Sequence, residues 1–192
     1  PDVPDDETLS ALSEEVSAGR IETIGCSQHS ADQLRHALDT SKKMNLPRYE
    51  IIQPGYNLGD RECEKELLTL CTEENISVTP FSPKGAGFFT GKYTPSRNDI
   101  PKGTRFDIMP AHADIYFNDR NFIIVNKLKA KADEMGIPIQ RLAMAWTMSH
   151  PAITSVLVGA RETAHIDNAI EAFNMDLDSE LRDEISSWGN PE

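Results

Sequence analysis

The chain has 192 residues, 19 lysines and arginines against 31 aspartates and glutamates, and a formal net charge of −12. That length can bury a sizeable core, and that charge argues against nucleic acid or an anionic membrane as the main partner. No apolar run is long enough to span a bilayer, and three cysteines (Cys26, Cys63, Cys71) at no metal-ligand spacing read as reduced thiols of a cytoplasmic protein.

In chain order, Asp5-Asp6-Glu7 opens an acidic first turn, Leu9, Leu12 and Val16 recur at helical spacing, and Gly19 supplies the stop. Residues 21–25 form a short apolar strand that runs into Cys26-Ser27-Gln28-His29. Ser30 and Gln33 make a capping box for a helix with Leu34 and Leu38 inward and Pro47 beyond its end. Residues 49–53 are a second strand, closed by Pro54-Gly55, and residues 61–74 a helix through Leu67, Leu68 and Cys71. Residues 76–81 are a third strand.

From Tyr93 the pattern loosens, with Pro95, Pro101, Gly103 and Pro110, and loops of this length in compact domains tend to be functional. Helices follow at 121–135, ended by Gly136, and at 139–148, with Leu142 and Trp146 on one face. A fourth strand is expected at 153–158, then helices at 163–173 and from Ser179. Strand and helix alternate at spacings too long for hairpins. The fold class is therefore α/β with parallel strands and right-handed crossovers, in a single domain.

The chemistry-bearing stretch is Val78-Thr79-Pro80-Phe81-Ser82-Pro83-Lys84-Gly85-Ala86-Gly87-Phe88-Phe89-Thr90-Gly91-Lys92-Tyr93. A strand breaks there into a loop with three glycines, whose backbone can approach a ligand closely and turn successive N–H groups toward an anion. An aromatic such as Phe81 at a strand's C-terminal end offers a flat face to a ring, at the edge where α/β folds put their ligand crevice.

This stretch resembles the seventh strand and following loop of aldo-keto reductases. Similar matches run through Gly19-Arg20-Ile21-Glu22-Thr23-Ile24-Gly25-Cys26-Ser27, Gln53-Pro54-Gly55-Tyr56-Asn57 and Val158-Gly159-Ala160-Arg161, in the family's order. The resemblance implies a parallel (β/α)8 barrel of the TIM type, of which this chain is about the second half, strands 5–8 with their helices. A whole barrel needs about 250 residues, so the chain is short for one.

The resemblance also implies the site. Ser27 and Gln53 match residues that hydrogen-bond a nicotinamide carboxamide, with Gln28 where asparagine is usual. Phe81 takes the place of a stacking tyrosine. Ser82, Pro83, Lys84, Gly85 and Gly87 match the pyrophosphate loop, with Lys84 in place of a leucine. Gly159 and Arg161 follow, and Arg161 is the candidate for the 2′-phosphate of NADPH, since a guanidinium grips phosphate through two bonds. His165 and Ala169 stand where many members have polar residues on the adenosine end, with Asn168 one place off.

The family's tetrad of aspartate, tyrosine, lysine and histidine comes from its first four strands. Pro1-Asp2 look like the tail of the family's His-x-Pro-Asp sequence, so none of the four is expected in this chain. The expectation is an oxidoreductase of aldehydes and ketones, with this chain supplying the cofactor-binding half and pairing with itself or with a separate first half. Two other readings stand beside it. Lys84 at a strand end could form a Schiff base as in class I aldolases. Alternatively, the chain is a non-catalytic half barrel that dimerises or binds a partner through open strand edges. The histidines, at 29, 36, 112, 150 and 165, form no metal pattern.

Overall fold

The computed structural model describes residues 3–189, so the Pro1-Asp2 resemblance lies outside the described residues. The residues divide into two compact units, each described by itself. No helix among the described residues is long and apolar enough to cross a membrane.

The first unit, residues 3–55, 62–80 and 152–155, is built on a three-stranded parallel sheet in the order β1-β2-β3. Its elements are α1 (Asp5–Ser17), β1 (Ile24–Ser27), α2 (Ala31–Met44), β2 (Tyr49–Gln53), α3 (Leu67–Glu73) and β3 (Ser77–Val78). The α2 capping box forms as the sequence predicts, Ser30 Oγ accepting from the Gln33 N–H and Gln33 Oε1 from the Ser30 N–H. Asn45, in the left-handed region at φ 55°, ends the helix two residues before Pro47. Leu9 of α1, Leu34 of α2, Ile52 of β2 and Val78 of β3 are fully buried in the unit's core. His36 Nδ1 meets Asp5 Oδ2 at 2.7 Å, and Arg48 bonds both Glu50 and Glu74.

Three strand or helix expectations change here. The first strand is Ile24–Ser27, not 21–25: its extent is set by pairing with β2, from Ile24↔Tyr49 to Ser27↔Gln53, and Ile21 is left exposed. The helix expected at 61–74 is a 3-10 turn (Glu62–Glu64) and then α3, separated at Glu66, whose φ of −140° lies outside the helical region. The third strand is only Ser77–Val78, because β2 offers it just the Ile51 and Ile52 partners.

The fourth strand, expected at 153–158, is absent among the described residues. Thr154 and Ser155 both donate to the single Val78 carbonyl, and the Val78 N–H goes to the Thr154 hydroxyl instead of a carbonyl. A ladder needs alternate residues to exchange backbone bonds, and here one side chain and one shared acceptor replace it.

The second unit, residues 56–61, 81–151 and 156–189, is helical: α4 (Arg105–Ile108), α5 (Ala111–Tyr116), α6 (Asp119–Met135), α7 (Ile139–Met148), α8 (Thr163–Phe173) and α9 (Ser179–Ser187). Asn118 caps α6 through the Asn121 N–H, and left-handed Gly136 (φ 66°) ends it. Leu142 to Thr147 of α7 are all buried, with Met144 and Ala145 packed on Ala169 and Ala172 of α8.

Two aromatic clusters organise this unit. Trp146 lies between Arg182 (4.9 Å) and Arg61 (5.4 Å), beside Tyr56 at 5.2 Å, and its indole N–H donates to Ser186 Oγ at 3.0 Å. Cation–π contact and that bond tie α9 to α7. The second cluster centres on Phe88, whose ring meets Phe89, Tyr93, Phe106, Tyr116, Phe117 and Phe122 at 5.0–6.3 Å. It knits the stretch beyond Tyr93, expected to be irregular, into the short helices α4 and α5 on a rigid base.

Candidate cofactor site

The loop after Phe81 is held by its own carbonyls. Ser82 sits at φ 56°, an unfavourable conformation for a side chain other than asparagine or glycine. Its carbonyl accepts from the Gly85 N–H at 2.9 Å and from Asn57 Nδ2 at 3.1 Å. The Pro83 carbonyl accepts from the buried Thr147 hydroxyl, the Lys84 carbonyl from the N–H groups of Gly87 and Phe89, and the Gly87 carbonyl from Thr90 Oγ1. Asn57, almost fully buried, completes the frame, its Oδ1 accepting from the Gly59 and Asp60 N–H groups.

A cavity of about 650 Å³ opens on this loop. Phe81, Ser82, Pro83, Lys84 and Gly87 line one side, and Gly159, Arg161 and His165 another. Lys92, Lys102 and Arg105 add three more cations, so five positive side chains face one cavity with Glu162 as its carboxylate. In a chain of net charge −12, such a concentration of cations stands out and gives the cavity a positive potential that favours an anion.

Burial, and then the neighbouring Lys92, hold the Lys84 ammonium below the ordinary lysine range; burial, and then Arg161, do the same to Lys92. Arg161 is braced: its Nη1 donates to the Gly103 carbonyl at 3.0 Å and its backbone N–H to His165 Nδ1 at 3.2 Å.

The structure brings together eight of the thirteen residues read from the sequence: Phe81, Ser82, Pro83, Lys84, Gly87, Gly159, Arg161 and His165. Gly85 is behind them, buried, its N–H spent on Ser82; a Cβ there would lie 2.9 Å from Phe89 and Tyr116, so its smallness serves packing. Asn168 on α8 is outside the lining, with both amide atoms buried and no hydrogen-bond partner among the described residues.

Ser27, Gln28 and Gln53 belong to the other unit and come together there. Ser27 Oγ and the Gln28 N–H both donate to the Gln53 carbonyl, at 3.0 and 3.1 Å. Gln28 holds φ 58°, in the left-handed region that asparagine populates more readily than glutamine. Burial pushes the Cys26 thiol up to about 12, with Cys71 and Asp5 adding to it, so it is no nucleophile.

The reading from sequence missed Lys92, Lys102, Arg105 and His112 as lining residues. Lys92 stood within the quoted Thr90-Gly91-Lys92-Tyr93 match, and the others in the loose stretch that loop length had marked as functional. Which of its cations turn inward has no sequence period. No group of histidine, cysteine and acidic side chains among the described residues could hold a metal ion.

These features define an α/β protein with a cation-lined cavity beside an aromatic ring, suited to a phosphate-bearing ligand. The chain belongs to the aldo/keto reductase family, whose model matches residues 1–189 and whose fold is a (β/α)8 barrel. It is 32% identical over 180 residues to a probable voltage-gated potassium channel subunit beta of Arabidopsis thaliana, covering 90% of this chain and 53% of that protein. To the NADH-specific methylglyoxal reductase of Escherichia coli (strain K12) it is 29% identical over 175 residues, 89% of this chain and 49% of that protein. To the L-glyceraldehyde 3-phosphate reductase of the same strain it is 27% identical over 176 residues, 89% and 50% respectively. The chain thus spans about half the length of the curated relatives it matches.

Proposed function

We propose that this chain is the cofactor-holding part of an NADPH-dependent aldo-keto reductase acting on aldehydes and ketones, and that the catalytic tetrad is contributed from outside it. The observation that carries the reading is the cavity itself: five cations, Phe81 and the braced Ser82–Gly87 loop in one place. When bound, the dinucleotide supplies the hydride that reduces a carbonyl carbon. Phe81 offers a face to an aromatic ring, Lys84, Lys92 and Arg161 offer charge to phosphate, and Ser27, Gln28 and Gln53 are read as carboxamide partners. His165 and Asn168 are read on the adenosine side. Cys26, Cys63 and Cys71 form no disulfide among the described residues, which accords with a cytoplasmic location as part of the same reading.

Titration of the intact protein with NADPH and NADH, followed by nicotinamide fluorescence, tests the reading. Arg161→Ala should weaken NADPH at least tenfold more than NADH, since it removes the charge-assisted bonds to the 2′-phosphate alone. Equal losses would remove that role. The NADH-specific relative makes the comparison necessary.

A second part of the reading concerns assembly. Ile166, Ile170 and Phe173 lie four and three residues apart on α8 and are exposed, Phe173 by 75%. We propose that the other half of a (β/α)8 barrel covers this stripe, in the same polypeptide or in a second one, because the relatives are about twice as long. Light scattering of the isolated 192-residue chain should show self-association; a monodisperse monomer would remove this proposal.

A further inference from the structure

Phe81, Ser82 and Pro83 line the cavity, and their three successive carbonyls are held from outside the loop. The Phe81 carbonyl accepts from the Tyr56 N–H at 3.4 Å, the Ser82 carbonyl from Asn57 Nδ2 at 3.1 Å, and the Pro83 carbonyl from Thr147 Oγ1 at 3.3 Å. These donors sit on or beside Tyr56 and Trp146, and both of those side chains are gripped by α9.

The Tyr56 ring is fully buried, 5.2 Å from Trp146, and Arg182 of α9 donates to its hydroxyl from Nη2 at 3.0 Å. The same guanidinium lies 4.9 Å from the Trp146 ring centre, and the Trp146 indole N–H donates to Ser186 Oγ at 3.0 Å. The Ser186 carbonyl accepts from Arg61 Nη1 at 2.6 Å. Arg120 donates to the carbonyls of Gly59 and Gly189, at 3.3 and 3.1 Å. Residues 56–61 are thus tied to the C-terminal segment at Tyr56, Gly59 and Arg61.

A serine at φ 56° keeps that conformation only where its surroundings over-determine it. The Gly85 N–H bond to the Ser82 carbonyl is local and closes the turn, whereas the bonds from 56–57 and 147 fix its place. Their own placement depends on what holds Tyr56 and Trp146.

We propose that α9 positions the cavity loop, and that Arg182, which meets both Tyr56 and Trp146, is the positioning residue through which it does so. Only the choice of NADPH as the ligand that benefits rests on the cofactor reading. The ordering cost of the loop is then met in folding and not on binding. By linkage, a ligand that needs the ordered loop must also tighten α9.

The test is amide hydrogen exchange of the intact protein at Gly85, Gly87 and Phe89, with NADPH titration beside it. The proteins are the parent, Arg182→Met, Arg182→Lys, Tyr56→Phe and Lys131→Met, each measured at the same interval below its own melting temperature. Lys131→Met cuts a different tie of α9, the Lys131–Glu184 pair at 3.5 Å, and controls for general loosening of the helix. Arg182→Met and Tyr56→Phe should speed exchange at the three amides by about tenfold and weaken NADPH severalfold. Arg182→Lys should recover part of both effects, Lys131→Met should show neither, and NADPH should slow exchange within α9 of the parent. Unchanged exchange at the three amides in Arg182→Met and Tyr56→Phe, or an equal gain in Lys131→Met, would overturn the proposal and reduce α9 to packing. If Arg182→Met does not fold, Tyr56→Phe decides by the same criteria. Faster exchange in both variants, with a parent that binds neither dinucleotide, would support the positioning role and overturn the cofactor reading alone.

Discussion

Asn57 donates through Nδ2 to the Ser82 carbonyl at 3.1 Å, and to Tyr116 Oη at 3.3 Å, from a position almost closed to solvent. The residue that starts the cavity loop in a left-handed conformation is thereby held by a side chain 25 positions earlier. Asn57→Ala leaves the Gly59 N–H and the Tyr116 hydroxyl to find other partners, while the Asp60 N–H keeps its bond to the backbone carbonyl of residue 57. It should cost about 2–4 kcal/mol by denaturant unfolding, and the surviving folded protein should bind NADPH several-fold more weakly.

The base under the loop gives a second prediction. Phe88 is 1% exposed and touches six other rings, so truncation opens a cavity that the neighbouring aromatics cannot fill without leaving their own contacts. Phe88→Ala should destabilise by about 3–5 kcal/mol. Thermal melting checks it, and a loss under about 1 kcal/mol would mean that the cluster repacks freely.

Strain at Gln28 predicts a gain. At φ 58° a glutamine sits in the sparsely populated left-handed region, and Gln28→Gly should raise stability by about 1 kcal/mol, with the residue 28 N–H bond to the Gln53 carbonyl kept. Chemical denaturation of the two proteins side by side decides the sign.

Asn168 separates stability from binding. Its amide is buried without partners among the described residues, at a cost of about 1–3 kcal/mol that a hydrocarbon of similar size avoids. Asn168→Leu should therefore stabilise the free protein. If Asn168 serves the adenosine end as read, the same variant should bind NADPH more weakly, and calorimetry measures both effects on one sample.

The depressed lysines fix a pH dependence. Lys84 and Lys92 lose their protons below the ordinary lysine value of 10.5 in the free protein, and a bound phosphate favours the protonated forms. NADPH affinity should then fall as pH rises toward 10.5, with proton uptake on binding in that range. The folding penalty of the two charges runs the other way: it is present when they are protonated and is relieved as pH rises through their lowered values. Calorimetric titration in buffers of different ionisation heat measures the proton uptake, and its absence in Lys84→Leu would locate it.

By itself the sequence determined the alternation of strand and helix up to residue 78, the capping box at Ser30 and the glycine stop at 136. Each depends on residues within a turn or two of one another, and such signals survive reading one residue at a time. Eight of the lining residues were legible for the same reason, since they lie on the short stretches 81–87 and 159–165. Strand limits were not legible: β1 runs on to Ser27 because Gln53 is there to pair with it, and residues 153–158 fail as a strand because the Thr154 hydroxyl, not a backbone carbonyl, accepts the Val78 N–H. Nor was the cationic character of the cavity. Lys84, Lys92, Lys102, Arg105 and Arg161 are separated by up to 77 positions and belong to an acidic chain; only tertiary packing, through the Phe88 cluster and the Asn57 and Thr147 bonds, turns them toward one space.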